Sequence, residues 1–165
     1  MMLEFTSLSR HKPGTMYALL ERSYAELLSA DPEHWEPSRK EWQEFDQEAF
    51  ARIDTIGACV FVTMSDGEAI GFGSFDPSQA PELGIVGHNC IVPEFRGRGF
   101  GRQQIEEILK RLRERGISKA LVQTGDHPFF TAAQQMYMAC GFVEVQRLSG
   151  GPDPRYCLIE YTKDL

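Results

Sequence analysis

The sequence predicts an α/β fold: a single domain over residues 1–165, with a mixed, mostly antiparallel sheet around a central parallel strand pair, flanked by helices. Three observations predict it. Asp66-Gly67 sits at the centre of a short connection between two β-rich runs, the strongest local signal for an antiparallel hairpin. Further on, an amphipathic helical stretch separates two apolar runs, and a crossover of that length joins parallel strands. Two more β-type runs close the chain around the Gly- and Pro-rich loop from Ser149 to Pro154. A chain of 165 residues is about one domain and long enough for a full core.

Residues 2–8, with Leu3 and Phe5 alternating among polar neighbours, read as a first strand. After Pro13-Gly14, one helical stripe carries Met16, Leu19, Leu20, Tyr24, Leu27 and Leu28. It stops at Asp31-Pro32, because the proline ring cannot continue a helix and restrains the residue before it. The segment from His34 to Pro37 looks exposed and holds Trp35, either a packing plug or part of the wall of a binding site. A second helix opens with Ser38 and Glu41, a capping box, and turns Trp42, Phe45, Ala49 and Ile53 inward. Strands follow over residues 59–64, 69–75 and 83–92. The next helix, over 103–115, carries Ile105, Ile108, Leu109 and Leu112 at i, i+3, i+4, i+7 and ends at Gly116. Residues 119–124 make the parallel partner strand. Thr131 and Gln134 form another capping box, for a short helix running to Cys140 and stopped by Gly141 in a left-handed conformation. With strands over 142–148 and 156–161, the order is β-α-α-β-β-β-α-β-α-β-β.

Between the strand ending at Val92 and the following helix lies Arg96-Gly97-Arg98-Gly99-Phe100-Gly101-Arg102. Alternate glycines let the backbone turn sharply and present N–H groups without side-chain obstruction. The helix start adds its orphan N–H groups and the positive end of its dipole. The stretch therefore reads as a diphosphate cradle. A P-loop would need Gly-x-x-x-x-Gly-Lys and then Ser or Thr, and neither Lys nor hydroxyl stands in place. A dinucleotide fingerprint counted from Gly97 and Gly99 would put its third glycine on Arg102.

What remains, Arg96-x-x-Gly99-x-Gly101 preceded by Ile91-Val92-Pro93, resembles the coenzyme A pyrophosphate loop of the GNAT superfamily, the acyl-CoA-dependent N-acyltransferases. A second segment looks like the other hallmark of that family: Ala133, then Tyr137 four residues on, then Gly141-Phe142 leading into a strand. The resemblance is close over residues 69–142 and rests on element order elsewhere. It implies a GNAT-like domain in which Ile91, Val92, Arg96, Gly97, Arg98, Gly99, Phe100, Gly101 and Arg102 bind acetyl-CoA. It further implies a backbone N–H near Ile91 as oxyanion donor, and Tyr137 beside the thioester sulfur, serving the departing thiolate. The loop position that often holds Asn in the family is Phe130 here.

Acyl transfer to an amine needs the amine neutral, and for an alkyl amine deprotonation at pH 7 costs about 4–5 kcal/mol. A base is therefore expected. His88, on the strand feeding the cradle, is the first candidate, with Glu82, Asp126 and His127 as the others. A phenol is a weaker acid than a thiol, so Tyr137 must be tuned by its surroundings or donate a hydrogen bond without full transfer. No cysteine has a sequence-adjacent base, which favours direct transfer in a ternary complex over an acyl-cysteine. The expected reaction moves an acetyl group from acetyl-CoA to a primary amine of a small molecule or peptide. The alternatives are a non-catalytic acyl-CoA-binding module and a nucleotide-binding module.

A net charge of −7 argues against a nucleic-acid partner and favours a cationic acceptor. No apolar run approaches the roughly 18 residues of a membrane span, and residues 1–10 show no secretory signal. Cys59, Cys90, Cys140 and Cys157 lie in separate apolar stretches without metal-ligand spacing. They are expected as buried reduced thiols, with no metal and a cytoplasmic location; a homodimer is left open.

Overall fold

The computed structural model describes residues 2–149 and 155–165. The Gly- and Pro-rich loop at Ser149–Pro154 lies, from residue 150 on, outside the described residues. The first half holds β1 (Leu3–Ser7), α1 (Thr15–Ser23), α2 (Ala25–Ala30), α3 (Pro32–Trp35), α4 (Ser38–Ala51), β2 (Val60–Ser65) and β3 (Glu68–Asp76). The second holds β4 (Gly84–Val86), β5 (Cys90–Ile91), α5 (Phe100–Glu114), β6 (Lys119–Gly125), α6 (Thr131–Ala139), β7 (Val143–Leu148) and β8 (Leu158–Asp164). The strand order is β1-β2-β3-β4-β6-β8-β7, with β5 also paired to β3. All pairs are antiparallel except β4 and β6, the expected parallel pair. Among the described residues no helix is long and apolar enough to cross a membrane.

Internal contacts divide the chain into two units, Met1–Ser74 with His88–Gly101, and Phe75–Gly87 with Arg102–Leu165. In the first, β1, β2, β3 and β5 pair antiparallel, and Asp66 and Gly67 take φ of 49° and 82°, the left-handed pair a type I′ hairpin turn demands. Trp35 is buried, so it packs rather than lines a wall. On α4, Trp42 and Ala49 are buried as expected and Phe45 is half-buried, whereas Ile53, also half-buried, lies in the turn beyond the helix end at Ala51. In the second unit, Ile105, Ile108, Leu109 and Leu112 are all fully buried, each contributing about 1.5–3 kcal/mol of apolar transfer. The last two strands pair with each other, but it is β8 that lies beside β6, leaving β7 at the edge with Val143 and Val145 exposed.

Several elements depart from the sequence reading. The first helix breaks at Tyr24 (φ −107°, ψ 14°), where the Ser23 carbonyl accepts Arg96 Nη2 at 2.6 Å and the Tyr24 ring stacks on Trp42 at 5.3 Å. The strand over 83–92 is two short strands. Phe75 pairs Val86 and Phe72 pairs Cys90, so Gly87, His88 and Asn89 face only Gly73 and Ser74, one residue too many for a ladder. Ser74 Oγ donates to the His88 carbonyl at 2.6 Å in this bulge. Helix α5 begins at Phe100 rather than 103, so Gly101 and Arg102 belong to its first turn.

Neither capping box forms. Glu36 and Pro37 already have helical backbone, so Ser38 lacks the extended conformation a side-chain cap needs. Likewise a tight 3₁₀ turn over Pro128–Phe130 runs directly into α6, and Gln134 instead donates Nε2 to the Gly125 carbonyl at 2.9 Å. The charged cap that does form comes from the middle of α4. Buried Asp46 accepts the N–H groups of Gly14, Met16 and Tyr17 at 2.8, 3.0 and 3.1 Å, closing the N-terminus of α1.

Candidate functional site

The cradle residues up to Gly101 lie in the first unit, at the end of β5. Val92 donates its N–H to Ile70 at 2.8 Å, and Gly71 stands opposite Ile91. In an antiparallel ladder that combination makes Gly71·Ile91 a pair whose backbone groups point away from each other. The Ile91 N–H therefore faces away from β3, while Val92 spends its N–H on Ile70 and its carbonyl on Phe95. Gly71 permits this approach, because a Cβ there would collide with the Cys90 carbonyl.

Beyond a 3₁₀ turn over Pro93–Phe95, Gly97 and Gly99 adopt φ of 77° and 80°, and a Cβ on either would meet nothing within 4 Å. Open space thus faces the two left-handed positions where the first N–H groups of α5 have no partner within the helix. A diphosphate fits these features: small residues for close approach, and the positive dipole end of a helix start. Phe100 is buried and stacks on Phe95, over whose ring the Arg98 guanidinium lies at 5.1 Å. Arg96 directs Nε to the Ile91 carbonyl at 3.0 Å and Nη2 to the Ser23 carbonyl. Its guanidinium braces the peptide before Val92 against the end of α1, a structural task the sequence did not show.

His88 sits in the bulge of the same unit. Its ring packs on Phe45, centroids 4.9 Å apart, and Nε2 lies 3.7 Å from Glu41 Oε1. Burial lowers its pKa below the ordinary histidine value, and the Glu41 charge opposes that only in part. The imidazole is therefore neutral at pH 7 and has a lone pair to give. Cys90, one residue before Ile91, is buried, and burial pushes its thiol up to about 11.

Tyr137 and Arg102 lie in the second unit. Tyr137 is buried, its ring edge-on to Phe142 at 5.9 Å and tilted to Tyr161 at 6.1 Å. Gly141 follows at φ 93°, the expected stop. Of the other candidate bases, Asp126 accepts the Cys157 N–H at 2.8 Å with Oδ1 and places Oδ2 3.7 Å from Arg147. His127 Nδ1 accepts the Phe129 N–H at 3.0 Å, so the neutral ring carries its proton on Nε2 and offers no lone pair outward. Glu82 is exposed ahead of β4. Glu41, Phe45 and Asp46 went unrecognised as partners; the i, i+4 spacing of Glu41 and Phe45 was the available signal for a shared helix face.

The bulged strand, the left-handed glycine turn and the helix N-terminus are the features that the resemblance to the GNAT superfamily implies for a coenzyme A loop. The chain belongs to the Acetyltransferase (GNAT) family, whose family model matches residues 20–142. No curated protein matches it. Among solved structures, a protein assigned to the GNAT acetyltransferases from Desulfovibrio desulfuricans superposes with a TM-score of 0.76 at 15% identity, covering 99% of this chain and 98% of that one. The NatC complex bound to Gag peptide and CoA gives 0.69 at 16%, over 100% and 99%. The Salmonella typhimurium protein yncA with acetyl-CoA gives 0.62 at 15%, over 75% and 73%. At these identities the likeness is one of fold.

Proposed function

We propose that the protein transfers an acetyl group from acetyl-CoA to a primary amine by direct attack within a ternary complex. The observation that carries this reading is the run from Cys90 to Gly101. There a strand end turns the Ile91 N–H outward, and left-handed Gly97 and Gly99 lead into the N-terminus of α5. The cradle from Arg96 to Arg102 holds the pyrophosphate, and the Ile91 N–H serves the developing oxyanion. His88 takes the proton of the incoming ammonium, and Tyr137 donates to the sulfur as the carbon–sulfur bond breaks. The high pKa of Cys90 supports direct transfer, since a thiol at about 11 is not a nucleophile at neutral pH. Thiol release from acetyl-CoA, measured across polyamines, aminoglycosides, amino acids and lysine peptides, tests the reading. CoA binding without turnover over the whole panel would leave a non-catalytic acyl-CoA-binding module.

Gly99→Val places a branched side chain at φ 80° in the space assigned to the diphosphate. CoA affinity should fall at least about tenfold, while Arg96→Ala should lower it less, because that guanidinium already donates to the Ile91 and Ser23 carbonyls. Titration calorimetry beside a melting curve reads both; unchanged affinity in Gly99→Val removes the cradle assignment. For His88, a base must be unprotonated to act, and its pKa is shifted down. The acid limb of kcat/KM therefore lies below pH 6.5, with a plateau above. His88→Ala should abolish that limb, and an unaltered limb would exclude His88.

A further inference from the structure

Helix α4 brings a carboxylate and an aromatic ring against His88. Glu41 Oε1 stands 3.7 Å from Nε2, and Phe45, one turn on, packs against the imidazole and stacks on Phe72. Neighbouring acids are matched by strong bases: Glu21 and Glu36 pair with Arg39, and Glu44 with Lys40. Among the described residues His88 is the one basic group within ion-pair range of Glu41, and that imidazole is neutral at pH 7. Glu41 thus holds an unbalanced charge at the surface, its side chain 69% exposed, while that of His88 is 32% exposed. Three residues along from His88 comes Ile91.

A carboxylate, an imidazole lone pair and an aromatic ring in contact match one chemistry, a primary ammonium on an aliphatic chain. The carboxylate takes the charge and the ring takes the methylenes and part of the cation. We propose that Glu41 and Phe45 bind the acceptor, selecting cationic alkyl amines and holding the ammonium beside His88; this rests on the acetyl transfer proposed above. The bound ammonium gives one proton to His88 Nε2, leaving a neutral amine and an imidazolium. Glu41 acts before the chemical step, so its loss weakens acceptor binding and spares acetyl-CoA.

The test follows the ring signals of the four histidines by NMR during titration with cadaverine, with the matching neutral diol as control. In the parent protein His88 should shift saturably with cadaverine and not with the diol. In Glu41→Gln the apparent Kd should rise about tenfold, with Glu41→Asp between. No His88 shift in the parent, equal Kd values in parent and Glu41→Gln, or equal response to the diol would each overturn the proposal. Thiol release with acetyl-CoA separates the two readings. A His88 shift lost in Glu41→Gln, without thiol release for any amine, keeps the cation site and sinks the transferase. Thiol release with an acceptor KM unchanged in Glu41→Gln keeps the transferase and sinks the role of Glu41.

Discussion

Tyr137→Phe is expected to lower kcat about 10²-fold with CoA affinity kept within a fewfold. The residue stands one turn before the Gly141 stop, and its carbonyl accepts the Phe142 N–H at 3.0 Å, so the backbone around it is held from both directions. Its ring is 5% exposed and wedged against Phe142 and Tyr161. Phenylalanine keeps that packing and deletes the hydroxyl alone, which should cost about 1 kcal/mol of stability or less. In water, proton transfer from a phenol to a thiolate runs uphill by about 2 kcal/mol. A positioned donor therefore acts only as negative charge builds on the sulfur. An interaction made at that moment appears in kcat and hardly in binding. Steady-state thiol release and calorimetric CoA binding measure the two separately. Turnover at the parent rate with the best acceptor would make Tyr137 a packing residue.

Asp46→Ala is expected to destabilise the fold by about 3 kcal/mol, near the top of the range for single substitutions. The carboxylate is 3% exposed and accepts three N–H groups at the start of α1. Each donor left unpaired in a buried place costs about 1–3 kcal/mol, and the sum is reduced because the helix end can fray toward water. Asn in its place should recover only part, since its amide turns donors toward donors. The change reaches the cradle, because α1 ends on Ser23, whose carbonyl holds Arg96. Urea unfolding gives the answer: a midpoint drop at constant slope is expected. A loss under about 0.5 kcal/mol, the ordinary surface value, would mean that water replaces the carboxylate.

The features the sequence determined by itself are those whose cause lies within a few residues. Asp66-Gly67 makes its hairpin because both positions tolerate positive φ, and Gly97 and Gly99 turn the cradle for the same reason. The stripe from Ile105 to Leu112 is buried because a 3.6-residue period puts it on one face. The turn over Gly97 and Gly99 is therefore legible before any coordinates, whereas Tyr137 is pointed to by the family resemblance and His88 by the chemistry an amine acceptor needs. What only the tertiary structure decided involves groups far apart in the chain. Helix α1 ends at Ser23 because Arg96, 73 residues away, takes its carbonyl. The strand over 83–92 splits because β3 pairs with it through a register one residue short. Asp46, 30 residues from Met16, caps α1 where local pattern had offered Ser38 as a cap for α4. His88, in the bulge between β4 and β5, meets Glu41 of α4 through tertiary packing, and no periodicity within either segment encodes that approach. Local backbone preference is written residue by residue, whereas a side chain reaching a distant carbonyl depends on how every intervening element packs.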